Sequence, residues 1–104
     1  MLPPRNALSL AEATRIAEAT RIAELAFLPY RAVTAVDRED ASFSLRVIDE
    51  HDRILTSVAH VARSQYQDSQ HLAALIEHLR LELSRDGHSL APWSMPHQPG
   101  VSNE

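Results

Sequence analysis

One stretch constrains this chain more than any other: Ser69 to Asp86, which reads SQHLAALIEHLRLELSRD. Leu72, Leu75, Ile76, Leu79 and Leu83 recur at spacings of three and four, so they fall on one side of a helix. Asp68 or Ser69 is placed to cap its start, and Gly87 stands where a helix ends through a left-handed residue. Such a stripe must be buried, and the segments before it supply the surface.

Those segments read as three strands. Tyr30 to Val36 (YRAVTAV) is β-prone and runs into the acidic turn Asp37-Arg38-Glu39-Asp40. Ser42 to Asp49 alternates Phe43, Leu45 and Val47 with Ser44 and Arg46, a half-buried pattern. The turn Glu50-His51-Asp52-Arg53 leads into Ile54 to Val61. With His51 and Asp52 as a two-residue hairpin loop, Leu45 lies opposite Val58, Val47 opposite Thr56 and Phe43 opposite His60. Phe43, Leu45, Val47, Ile54 and Val58 then form the face that the helix covers. Ser44, Arg46, Ser57 and Ala59, with Ile48 and Leu55 near the turn, form a reverse face left to solvent or a partner.

A first helix is expected from Leu10 to about Ala26, opened by a capping box of Ser9 and Glu12 and ended by Pro29. It holds a tandem copy, AEATRI at Ala11–Ile16 and again at Ala17–Ile22, with a third begun at Ala23. Six residues turn a helix by about 600°, or about 240° round the axis, so Ile16 and Ile22 do not stack. The repeat therefore predicts burial on two sides, by the sheet and by a second subunit, or else a local duplication in a tolerant segment. Met1 to Leu8 reads as a loose arm, Leu90 and Trp93 as a return over the helix end, and residues 94–104 as a disordered tail. Together these predict an α+β two-layer sandwich, helix–three-stranded antiparallel sheet–helix (αβββα), as a single domain over 1–93 with a flexible tail over 94–104. A chain of 104 residues, 44% hydrophobic, suits one domain with an unstapled core.

Missing residue types exclude much chemistry. With no cysteine there are no disulfides, thiol nucleophiles or cysteine zinc sites. Only Gly87 and Gly100 are glycine, so neither a phosphate-cradling loop nor a dinucleotide fingerprint exists. All ten basic residues are arginine, which removes Schiff-base chemistry and points to GC-rich coding and a bacterial source. No catalytic residue and no cofactor is assigned. The N-terminus lacks an apolar signal region and no run is long enough for a bilayer, so a cytoplasmic protein without membrane contact is expected.

The six histidines are the one suggestive excess. His71 and His78 lie about 10 Å apart by helical rise and do not grip one ion. His78 with Glu82 is an i, i+4 pair that offers two ligands only. His60 reads as a rim histidine with a backbone partner. The acidic turns at Asp37–Asp40 and Asp49–Asp52 belong to opposite ends of one strand and do not combine. A histidine-dependent metal protein is thus the third reading.

Ala74 and Leu81 fall on the side of the long helix away from its stripe, beside His78 and Arg85. With Ile22 of the first helix and Trp93, a residue type suited to interface anchoring, they mark an interaction surface. The first reading is therefore a small non-enzymatic interaction or regulatory module, paired with itself as a homodimer or with another protein.

The second reading is nucleic-acid binding through Arg46, Arg63, Arg80 and Arg85. The order helix, three strands, helix resembles the double-stranded-RNA-binding domain. That family opens its second helix with a lysine-rich stretch, where this chain has Asp68-Ser69-Gln70-His71. Phosphate contacts dominate such binding, so that departure and a net charge of −4 disfavour RNA.

Overall fold

A computed structural model describes residues 10–96. The arm Met1–Leu8, the expected capping residue Ser9 and residues 97–104 of the expected tail lie outside the described residues; of that tail Ser94–Pro96 are described, and Met95 packs on the core. The order is α1 (Leu10–Leu25), β1 (Arg31–Asp37), β2 (Ser42–Ile48), β3 (Ile54–Val61), α2 (Arg63–Tyr66) and α3 (Ser69–Arg85). The strands form one antiparallel sheet in the order β1-β2-β3. This is the α+β helix–sheet–helix arrangement that the strand alternation and the α3 stripe predict.

The α3 stripe is buried as Leu72, Ile76, Leu79 and Leu83. Asp68 caps the helix, its carboxylate accepting the Gln70 N–H at 2.8 Å. At the other end Gly87 takes φ +89 and the His88 N–H reaches back to the Leu83 carbonyl at 2.9 Å, closing the last turn. The core beneath joins Phe43, Leu45, Val47 and Val61 of the sheet to Ile16, Ala19, Ala23, Ala26 and Phe27 from α1 and the turn after it. A stripe built so largely of alanine lets α1 lie close to the sheet. The peptide bond Leu28–Pro29 in that turn is cis.

The repeat is thus asymmetric in space. Ile16 and Ala19 are buried in the main core, while Ile22 lies at the margin of the stripe. Ile22 lines a crevice with Leu72, Tyr66 and Met95, so the second side of α1 is met by α2, α3 and the C-terminal segment of the same chain.

The strand register departs from expectation at both ends of the β2–β3 hairpin. Leu45 faces Val58 and Val47 faces Thr56, as predicted. The loop, however, has three residues instead of two: the Asp52 N–H returns to the Asp49 carbonyl, Asp52 takes φ 62, and the Asp49 N–H meets the Arg53 carbonyl. Ile48 therefore pairs with Ile54, and an extra residue at Leu55 restores the register. Leu55 packs on the core and Ile54 is 57% exposed, the reverse of the expected assignment. A second irregularity sets Phe43 opposite Val61, so His60 does not face Phe43 and stands exposed.

Candidate functional site

The helices lie on one face of the sheet, that of Phe43, Leu45 and Val47. The opposite face carries Val33, Ala35, Ser44, Arg46 and Ser57, with the Ile48–Ile54 pair at the hairpin end. Alternation forces this division, since each strand sends successive side chains to opposite sides. Ala35, Arg46, Ser57 and Ile54 are exposed.

At one end of the sheet the acidic turn is tied together by a single carboxylate. Asp40 Oδ1 accepts the Ser42 hydroxyl at 2.6 Å and the Ser42 N–H at 3.1 Å, while Oδ2 lies 2.9 Å from His60 Nε2. The Ser42 hydroxyl and then His60 hold the Asp40 carboxyl below its ordinary range. Ala41, at φ 56, offers its carbonyl to the Tyr66 hydroxyl at 2.6 Å. Burial pushes the Tyr66 phenol above its ordinary value. A serine, a histidine and an aspartate thus meet, but in an order unsuited to nucleophilic catalysis. The hydroxyl donates to the carboxylate and not to the imidazole, so the three groups do not form a serine–histidine–aspartate relay. His60, expected to meet a backbone group, meets the Asp40 carboxylate instead, twenty residues earlier and brought near by the β2–β3 bulge.

At the other end Asp49 Oδ1 accepts the N–H groups of His51 and Arg53, and Oδ2 the Arg53 guanidinium at 3.0 Å. Those bonds, the Arg53 N–H foremost, lower its pKa. The two acidic turns stand at opposite ends of β2, as expected. Among the described residues no group of three or more His, Asp or Glu side chains is arranged to hold a metal ion.

The predicted interaction residues divide into two sets. Ala74, His78, Leu81 and Arg85 are exposed on α3, with His78 Nε2 3.1 Å from Glu82 Oε2 and Leu81 51% exposed. Ile22 and Trp93 belong to the seams of the fold. Arg80 explains the position of Trp93: its Nη1 donates to the Ala26 carbonyl at 2.6 Å, its Nη2 to the Ala91 carbonyl at 2.9 Å, and its guanidinium lies over the Trp93 ring. The Ala91 N–H donates to the Leu28 carbonyl, and Leu90, Trp93 and Met95 pack on the core. The segment after Gly87 is therefore a strap fastened across α3 and the end of α1. Nothing local in the sequence marks Arg80 as its fastener.

No helix among the described residues is long and apolar enough to cross a membrane. No curated protein and no solved structure matches the chain. A family model does match residues 17–83, from the second AEATRI copy through the whole sheet to the last buried leucine of α3, and the chain belongs to that family, DUF1652, proteins of unknown function.

Proposed function

We propose that this protein is a small, non-enzymatic interaction module of bacterial origin that works paired with itself, or docked on another protein. The observation that carries this reading is the one-sided cover of the sheet. Among the described residues the helices roof one face, the other carries the exposed Ala35, Arg46, Ser57 and Ile54, and β1 and β3 are each bonded to a strand on one side only. Uncovered strand edges and exposed apolar side chains such as Ile54 and Leu81 are surfaces that natural proteins use for association or else protect. The exposed side of α3, with Ala74, His78, Leu81 and Arg85, offers a second contact area for a different partner.

Solution mass tests the homodimer directly. Sedimentation equilibrium or light scattering on the full chain is expected to give twice 11.6 kDa at micromolar concentration. A strict monomer that also retains no partner from its native host counts against this reading.

A further inference from the structure

We propose that β1 is the edge through which two copies of this chain pair, antiparallel about a twofold axis at Thr34, so that their sheets become continuous. The inference rests on the homodimer reading and names its interface.

β1 reads RAVTAVD from Arg31 to Asp37, and among the described residues it is bonded to a strand on one side only. In an antiparallel pair the residues directly opposite each other point to the same face. A second β1 centred on Thr34 sets Arg31 opposite the partner's Asp37, and by symmetry Asp37 opposite the partner's Arg31. Both pairs lie on the outer face of the sheet, where the two charges stand exposed; Arg31 lies 3.8 Å from Asp52 of its own hairpin turn, a solvent-exposed contact that leaves its guanidinium open to a second carboxylate. Val33 meets Ala35 on that same face. Ala32 meets Val36 on the helix side, which gives a neighbour to a valine that is 46% exposed on an otherwise apolar edge. Sliding the pairing by two residues sets Asp37 opposite Pro29 in one direction and Val33 in the other, so only the register centred on Thr34 gives Asp37 its cation. Self-complementarity of this kind is what a twofold interface requires.

The other edge does not qualify. β3 carries irregularities at Leu55 and between Val58 and Val61, and bulges spoil a strand as a template. The β1 ladder with β2 is unbroken over all seven residues. Between its terminal charges β1 has no proline and no inward charge, the usual guards of a free edge. Two of the other exposed leucines, Leu25 and Leu28, stand at the end of α1 and in the turn that enters β1. Glu24, which accepts the Thr34 hydroxyl at 2.9 Å, brings a carboxylate of each copy toward the axis.

The chain has no cysteine, so Thr34→Cys introduces a sole thiol at the axis. Mild oxidation of dilute protein is expected to cross-link T34C to a dimer far faster than S57C, a control on the exposed part of β3. In parallel, Arg31→Glu and Asp37→Arg each set like charges opposite at both ends of the pairing. Each is expected to raise the dimer dissociation constant on the order of tenfold. An equimolar mixture of the two restores both ion pairs and is expected to dimerise as the unmodified chain does. Asp37 also accepts the Glu39 N–H at 2.9 Å, so D37R is checked by circular dichroism; the T34C arm decides if it misfolds. A dimeric unmodified chain whose variants stay dimeric, with T34C no faster than S57C, overturns the β1 interface and spares the homodimer. A monomeric unmodified chain overturns both.

Discussion

Asp40 shows how one side chain fixes a region that its neighbours in sequence do not. Its carboxylate holds the Ser42 hydroxyl and backbone on one oxygen and His60 on the other, joining the β1–β2 turn to β3. Those bonds favour the ionised form, so the folded-state pKa lies below the unfolded value near 3.8. The sign follows from linkage. The contribution is present above the unfolded pKa and is lost as pH falls through the folded one, because the unfolded chain there binds more protons. The urea midpoint is therefore expected to fall as pH is lowered through the carboxylate range, and Asp40→Asn is expected to show a shallower fall. Part of the slope remains in the variant, since Asp49 is depressed in the same direction by the Arg53 and His51 N–H groups. Parallel curves for the two proteins would show that the Asp40 bonds do not bias folding.

Among the elements, α1 poses the sharpest test, because its two AEATRI copies are identical in sequence and unequal in structure. Ala19 is 2% exposed against the core, while Ala13, at the same place in the first copy, is exposed. Overpacking a close helix–sheet contact costs about 1–3 kcal/mol. Ala19→Leu is expected to destabilise by that amount in urea denaturation, and Ala13→Leu to change stability by less than about 0.5 kcal/mol. Equal effects would mean that α1 does not lie on the sheet as described. The same helix shows where sequence is legible and where it is not. Periodicity exposed the α3 stripe, its Asp68 and Gly87 ends and the alternation of β2, because these depend on spacing alone. It also gave the 240° turn between Ile16 and Ile22, but not that the second side of α1 would meet Met95 and Leu72 of its own chain. A three-residue loop and a bulge each shift the ladder by one residue, which exchanges Leu55 with Ile54 and moves His60 away from Phe43. Local composition carries little trace of such shifts. The Asp40–His60 contact and the Arg80 fastening join residues far apart in sequence, so they emerge only once the chain is folded.

For the molecule as a whole, the placement of the arginines bears on whether the chain meets nucleic acid. Nucleic-acid affinity at low salt grows with the number of phosphates that mobile cations neutralise, so cations must be both free and gathered on one surface. Arg80 spends its guanidinium on two backbone carbonyls and the Trp93 ring. Arg63 is joined to Glu12 across the α1–α2 contact. Arg46 stands on the uncovered face of the sheet, opposite the helices, while Arg85 occupies the last turn of α3. The start of α3 is capped by an aspartate and carries no arginine. Dispersed in this way on a chain of net charge −4, these cations present no phosphate track. The chain at micromolar concentration is therefore expected to leave duplex RNA unshifted on a native gel even at about 50 mM salt, the range in which a backbone binder is strongest. A shift that weakens steeply with added salt and disappears in Arg46→Ala would overturn this. It would give the uncovered sheet face a polyanion as its occupant, and it would make the acidic turns at both ends of β2 the limits of that footprint.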